Sequence, residues 1–210
     1  VIVSAGVVPI TMGGDGSVSL PQMRALHATH GPLAVIHIDS HTDTMRFTAG
    51  DEYNAGTQFT HAALEKLVDP SRVYHIGVRG STYQQGGFAY VREFGYQVIT
   101  FTELMQRGIA SVLEQLHTAL RGHPVVLCFD MDAFDPACAP GVATPSWGGL
   151  SAREGLDIVR GLAGLDLVAV DVNTVSPAHD HQGMTASLAA HVLYEALVVL
   201  CQRFGLDQTD

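Results

Sequence analysis

Short apolar runs recur along the chain, each ending abruptly in polar or glycine residues. Residues 7–12, 33–38, 73–78, 96–100, 124–130 and 167–172 have the length and boundaries of strands, the first of them short and buried. The segments between them read as helices: 20–30, 59–67, 88–94, one or two helices over 102–120 broken at Gly108, 151–162 and 185–204. Ser19 is placed to cap the first helix, with Pro21 in its first turn. Asp69-Pro70 closes the second. Ser151 and Glu154 have the S-x-x-E spacing of a capping box. Residues 44–58 and 81–87 read as loops, and 133–149 is too rich in Pro and Gly for regular structure. Strands alternating with helices predict a parallel sheet with helices on both faces. No repeat or linker interrupts the pattern, so residues 1–210 are expected to form one domain. The chain opens at Val1-Ile-Val3 with a strand almost at once, and an N-terminal segment is expected to be missing.

The 210 residues, 47% hydrophobic with 22 Gly, suit one α/β domain with a substantial core. A formal charge of -10 and no basic run argue against nucleic-acid or anionic-membrane partners. No stretch reads as a signal peptide or membrane span. The three cysteines, Cys128, Cys138 and Cys201, show no CxxC pairing, which points to a reducing, cytoplasmic compartment.

Chemistry concentrates where two apolar runs end. Ala34-Val-Ile-His-Ile-Asp39-Ser-His41-Thr-Asp43 places three ligand-type residues at alternate positions. In an extended chain these project from one face. Pro124-Val-Val-Leu-Cys-Phe-Asp130-Met-Asp132 repeats the design. The carboxyl ends of parallel strands are where functional loops gather. Four carboxylates sharing a pocket would repel strongly, and one or two divalent cations neutralise them most simply. Carboxylates with an imidazole suit Mn²⁺ or a similar ion. Two ions about 3.5–4 Å apart would activate water and polarise a substrate. A lone Asp at a strand end commonly caps the next turn; the paired pattern is what makes the signal specific. His37 and His75, inside strands, read as buried hydrogen-bonding groups. His61, His179 and His181 read as surface histidines. Trp147 and Phe134 either line a pocket or pack.

These motifs resemble the ureohydrolase (arginase/agmatinase) family, nearest its agmatinase-like branch. Gly13-Gly-Asp-Gly-Ser17 is similar to GGDHS, Asp39-Ser-His-Thr-Asp43 to D-A-H-x-D, and Phe129-Asp-Met-Asp-Ala-Phe-Asp-Pro136 to F-D-x-D-x-x-D-P. Ala139-Pro-Gly-Val-Ala-Thr-Pro145, Ile76-Gly-Val-Arg-Gly80 and Ser176-Pro177 with Asp180 and Thr185-Ala186 extend the likeness over nearly the whole chain. The resemblance implies an arginase-like three-layer αβα sandwich, a binuclear manganese centre, and hydrolysis of a guanidino group to urea and an amine. It also implies a homo-oligomer, trimeric or hexameric. By position, Asp39 and Asp130 would each bridge both metals. His41 and Asp132 would complete one, and Asp43 would bind the other. Asp43 and Asp130 are the candidate catalytic residues; Asn54, Thr174, His179 and Asp180 are the candidate substrate-binding residues.

Three departures bear on activity. Gly16 stands where GGDHS has a metal-binding His. Ala55 stands where H-G-T-P-F has a proton-shuttling His. Thr174 stands where D-x-V-E-V-x-P has a guanidinium-binding Glu. One tight and one weaker Mn²⁺ site are therefore expected, with other divalent ions as substitutes. The leading expectation is an agmatinase-like hydrolase. The alternative is a non-catalytic metal-binding paralogue acting in binding or assembly. Deacetylases of this general architecture have a different ligand pattern.

Overall fold

A computed structural model describes residues 1–47, 49–81 and 84–206. Thr48 in the 44–58 loop, and Thr82 and Tyr83 in the 81–87 loop, lie outside the described residues. Six strands, β1 (Ile10–Met12), β2 (Leu33–Ile38), β3 (Val68–Val78), β4 (Gln97–Thr100), β5 (Pro124–Asp130) and β6 (Asp166–Asn173), form one sheet in the order β1-β6-β5-β2-β3-β4. Every pairing is parallel. The helices are α1 (Ser19–His30), α2 (Gln58–Leu64), α3 (Gly87–Glu93), α4 (Phe101–Arg107), α5 (Ile109–Leu120), α6 (Ala152–Arg160) and α7 (Met184–Arg203).

The two-residue period of the strands divides the core into two. In β2, Ala34, Ile36 and Ile38 face a cluster shared with α4 to α7. Leu33 and Val35 face the opposite cluster, shared with α1, α2 and α3. In β5, Val125, Leu127 and Phe129 join the first set, Val126 and Cys128 the second. Helices cover both faces, so the chain is a three-layer αβα sandwich. Residue 37 points to the α1–α2 side by the same alternation.

Several boundaries differ from the sequence reading. β1 is shorter than 7–12 and is exposed, with Ile10 and Met12 facing solvent. It is an edge strand paired only with β6. Ser19 does not cap α1: the chain enters through a 3-10 turn at Gly16–Val18, so Ser19 is already helical. Its hydroxyl instead donates to Asp171 Oδ1 at 3.2 Å. α2 begins at Gln58 and ends at Leu64. β3 starts at Val68, ahead of Pro70. The β3–β4 pairing begins only at Tyr74 and Gln97, so Pro70 lies where that side of β3 has no ladder to break. Gly108 does separate α4 from α5, and the Ser151–Glu154 capping box forms.

α7 is long and apolar enough to cross a membrane by length and composition. Its buried residues Thr185, Ala189, Val192, Ala196 and Val199 recur every three or four positions, with Leu200 beside the last. That stripe packs into the core shared with β6 and α6.

Candidate metal centre and cavity

β2 and β5 are neighbours at the centre of the sheet, and their ladder runs to Ile38 and Phe129. Asp39 and Asp130 therefore leave adjacent strand ends together. His37, Asp39, Asp43 and Asp130 form one group whose ligand atoms all lie within 4.8 Å of one another. Asp39, His41 and Asp132 form a second. All five residues expected to bind metal come together, and Asp39 belongs to both groups.

Local backbone chemistry explains the convergence. Asp39 Oδ1 accepts the His41 backbone N–H at 2.8 Å, turning the chain sharply after β2. Asp43 adopts φ 46°, which brings its carboxylate back toward the strand. After β5 the chain makes a 3-10 turn, Met131–Ala133, which folds Asp132 beside Asp130. Thr174 Oγ1 accepts the Met131 N–H at 2.7 Å and holds that turn.

The third carboxylate of the second motif, Asp135, serves the loop. Its oxygens accept the backbone N–H groups of Ala137, Gly148 and Gly149 at 2.9, 2.8 and 3.2 Å. Those bonds hold its carboxyl below the usual range. Arg79 fastens the same loop from below, with Nη2 donating to the carbonyls of Asp132, Phe134 and Ser146 at 2.8, 3.1 and 2.7 Å. Phe134 is buried against Phe129 and Gly155, while Trp147 is exposed.

The electrostatics are those of an overfilled anionic site. Burial, with the charge of Asp39 next, raises Asp130 to about 8 and Asp132 to about 7. The same two causes raise Asp43 well above the carboxylate range. Burial would also raise Asp39, but hydrogen bonds from His37 and His41 hold it well below. Burial opposes protonation of His41, yet its bonds to Asp132 and Asp39 raise it to about 11. His37 is raised in the same way by Asp130 and Asp39, its Nε2 lying 3.0 and 3.1 Å from their carboxylates. The imidazoles are thus standing in as cations. Asp130 Oδ1 and Asp132 Oδ1 are nevertheless buried without a hydrogen-bond partner among the described residues. Carboxylates and imidazoles in this number, with orphaned oxygens, fit divalent cations.

His37 is buried and hydrogen-bonded, as expected of a strand histidine, but it faces the ligand cluster. Its Nδ1 meets His75 Nδ1 at 2.8 Å, and His75 Nε2 meets Thr44 Oγ1 at 3.3 Å. Gln58 carries no functional motif in the sequence, yet it reaches the cluster. Its Nε2 donates to Asp43 Oδ2 at 2.6 Å. Its only signal in the sequence is a long polar side chain at the start of a short helix.

A cavity of about 330 Å³ opens over the cluster, with Asp39, His41, Asp43 and Asp132 at its floor. Met45, Val78 and Phe88 give it apolar walls, and Ala55 and Thr174 also line it. Thr174 sits at φ 68° with its hydroxyl donating to Asn173 O. The other candidate substrate residues are engaged elsewhere. Asp180 accepts the N–H groups of Thr185 and Ala186 at 2.9 and 3.1 Å, at the start of α7. Exposed His179 meets Ser176 Oγ, and Asn54 Oδ1 accepts from Gly56 N. His61 is buried rather than on the surface, stacked between Phe47 and Tyr53. His181 is exposed.

Residues 1–199 match the model of the Arginase family. The chain is 39% identical to a mitochondrial agmatinase of Gallus gallus, over 95% of this chain and 58% of that protein. It is 38% identical to a guanidinobutyrase of Pseudomonas aeruginosa, over 95% of this chain and 62% of that protein. It superposes on the structure of proclavaminate amidino hydrolase from Streptomyces clavuligerus with a TM-score of 0.89 and 38% identity, covering 92% of this chain and 64% of that one. The chain thus spans about three-fifths of the length of the curated relatives it matches.

Proposed function

Because this chain belongs to the arginase family, we propose that it is a metal-dependent hydrolase of a linear guanidino or amidine compound, releasing urea and an amine. The observation that carries this reading is the pair of ligand groups sharing Asp39 at the floor of one cavity. Asp39, His41, Asp130 and Asp132 would hold one ion tightly. Asp43 would hold a second, weaker ion with Asp39 and Asp130, and Mn²⁺ suits this donor set. Bound there, a pair of divalent ions supplies an activated water and a polarised substrate carbon.

The chain's own residues do the rest. Asp39 accepts from His41 N and Asp132 from Thr144 Oγ1 (3.1 Å), so neither carboxylate is free to swing. Asp43, on the floor of the cavity, and Asp130, in the same ligand group, are our candidates to take and return a proton. The apolar walls at Met45, Val78 and Phe88 would take an aliphatic stem and limit water around the reacting carbon. Its three cysteines are free, which supports a reducing, cytoplasmic setting. We place the chain in a homo-oligomer by its likeness to the family.

Ala55 and Thr174, lining the cavity without ionisable groups, favour a second reading as a binding or assembly subunit. Urea release from agmatine, guanidinobutyrate and arginine in excess Mn²⁺ separates the two.

A further inference from the structure

Position 16 has no side chain, and the space beside it is filled by Gln58. A Cβ built at Gly16 would lie 3.1 Å from Gln58 Nε2 and 3.7 Å from Asp43 Oδ2. The carboxamide therefore occupies the place from which a longer side chain at position 16 would reach Asp43. Gln58 is the first residue of α2 and is 1% exposed. Its Oε1 is buried with no hydrogen-bond partner among the described residues. A buried, unpaired amide oxygen is unfavourable. This one stands at the edge of a cluster that already holds His37, Asp39, Asp43 and Asp130.

A half-turn of the carboxamide exchanges its nitrogen and oxygen, which have nearly the same shape. With Nε2 inward, the amide caps Asp43 and leaves its oxygen unused. With Oε1 inward, a neutral oxygen donor takes the position now 2.6 Å from Asp43 Oδ2. Oxygens bound to one cation at about 2.1 Å sit roughly 3 Å apart, so a shift of a few tenths of an ångström seats both on the same ion.

We propose that Gln58 compensates for Gly16: its Oε1 ligates the second ion together with Asp39, Asp43 and Asp130. This rests on the two-ion reading above and identifies the missing donor of the weaker site. An amide oxygen suits Mn²⁺, Mg²⁺ or Ca²⁺ and is a poorer donor than imidazole or thiolate for softer ions.

The test is a Mn²⁺ titration of the chelator-treated full chain, with free Mn²⁺ followed by its EPR signal. The wild-type chain should bind two ions of unequal affinity. Gln58→Leu should weaken the second about tenfold or more and leave the first unchanged. Gln58→Glu, nearly isosteric, should tighten the second, and Gly16→His in the Gln58→Leu background should restore it. Two ions bound with the same affinities in all four proteins would overturn the role of Gln58 while leaving the two-ion centre standing. A wild-type chain that binds one ion, alike in every variant, would overturn both.

Discussion

His37 Nε2 lies 3.0 Å from Asp130 Oδ2, and neither side chain reaches solvent. The same nitrogen is 3.1 Å from Asp39 Oδ2, so one imidazole joins the two carboxylates that leave β5 and β2. In the metal-free protein it is the cation nearest both. Asp39 stays ionised in that state, and removing the cation beside a buried charge destabilises by about 3–5 kcal/mol. His37→Ala should lower the unfolding free energy by that order in chelator, measured by urea denaturation at neutral pH. Saturating Mn²⁺ should recover part of the loss.

Proton release should accompany metal binding. Burial and the charge of Asp39 raise Asp130 to about 8 and Asp132 to about 7, so both are partly or mostly protonated at pH 7 without metal. His41, raised to about 11, is protonated as well. Ligation requires the deprotonated form of each. Protons therefore leave as the ion enters, and apparent affinity rises with pH between 6 and 8. Calorimetry in buffers of different ionisation enthalpy measures the protons released at pH 7; a value near zero would contradict these assignments.

Arg79 is expected to be a folding residue with an indirect effect on the site. It is half-buried, donates to three carbonyls of the 131–149 loop, and lies 3.3 Å from a fourth, at Trp147. Lysine cannot reproduce this fork. Arg79→Ala should destabilise the protein by about 2–4 kcal/mol. Arg79→Lys should recover little of that in thermal melts, and both should weaken Mn²⁺ binding through Asp132.

Thr174→Glu should install the missing carboxylate at the cavity wall. A charge-assisted hydrogen bond contributes about 1.5–3 kcal/mol, so kcat/KM for agmatine should rise roughly tenfold or more. The variant also loses the acceptor for Met131 N–H, and some stability with it. A guanidino substrate whose KM is unmoved would place the guanidinium away from Thr174.

The sheet was legible because its central strands are short apolar runs that end abruptly in polar clusters. The ligand set was legible because Asp39, His41 and Asp43 alternate in sequence, although a turn after β2, not the expected extended segment, brings them together. Contacts that depend on folding were hidden. Gln58 and Asp43 are fifteen positions apart, and nothing local ties them. Ser19 has a capping residue's identity, yet a 3-10 turn ahead of it moves the helix start and frees its hydroxyl for Asp171. Asp180 looked like a substrate group from its place in a motif, but backbone donors at the start of α7 claim it. His61 lies beside Ala55 in the chain, yet two aromatic rings hold it against the Glu52 carbonyl.

The most direct test of the proposed activity is urea release by the Mn²⁺-loaded chain, wild type against Asp130→Ala, across agmatine, guanidinobutyrate, guanidinopropionate and arginine. Turnover by the wild type on at least one of these, lost in Asp130→Ala and in excess chelator, is the result predicted. No urea from any of them, with metal bound and the fold intact, would contradict the hydrolase reading and leave a metal-holding binding subunit.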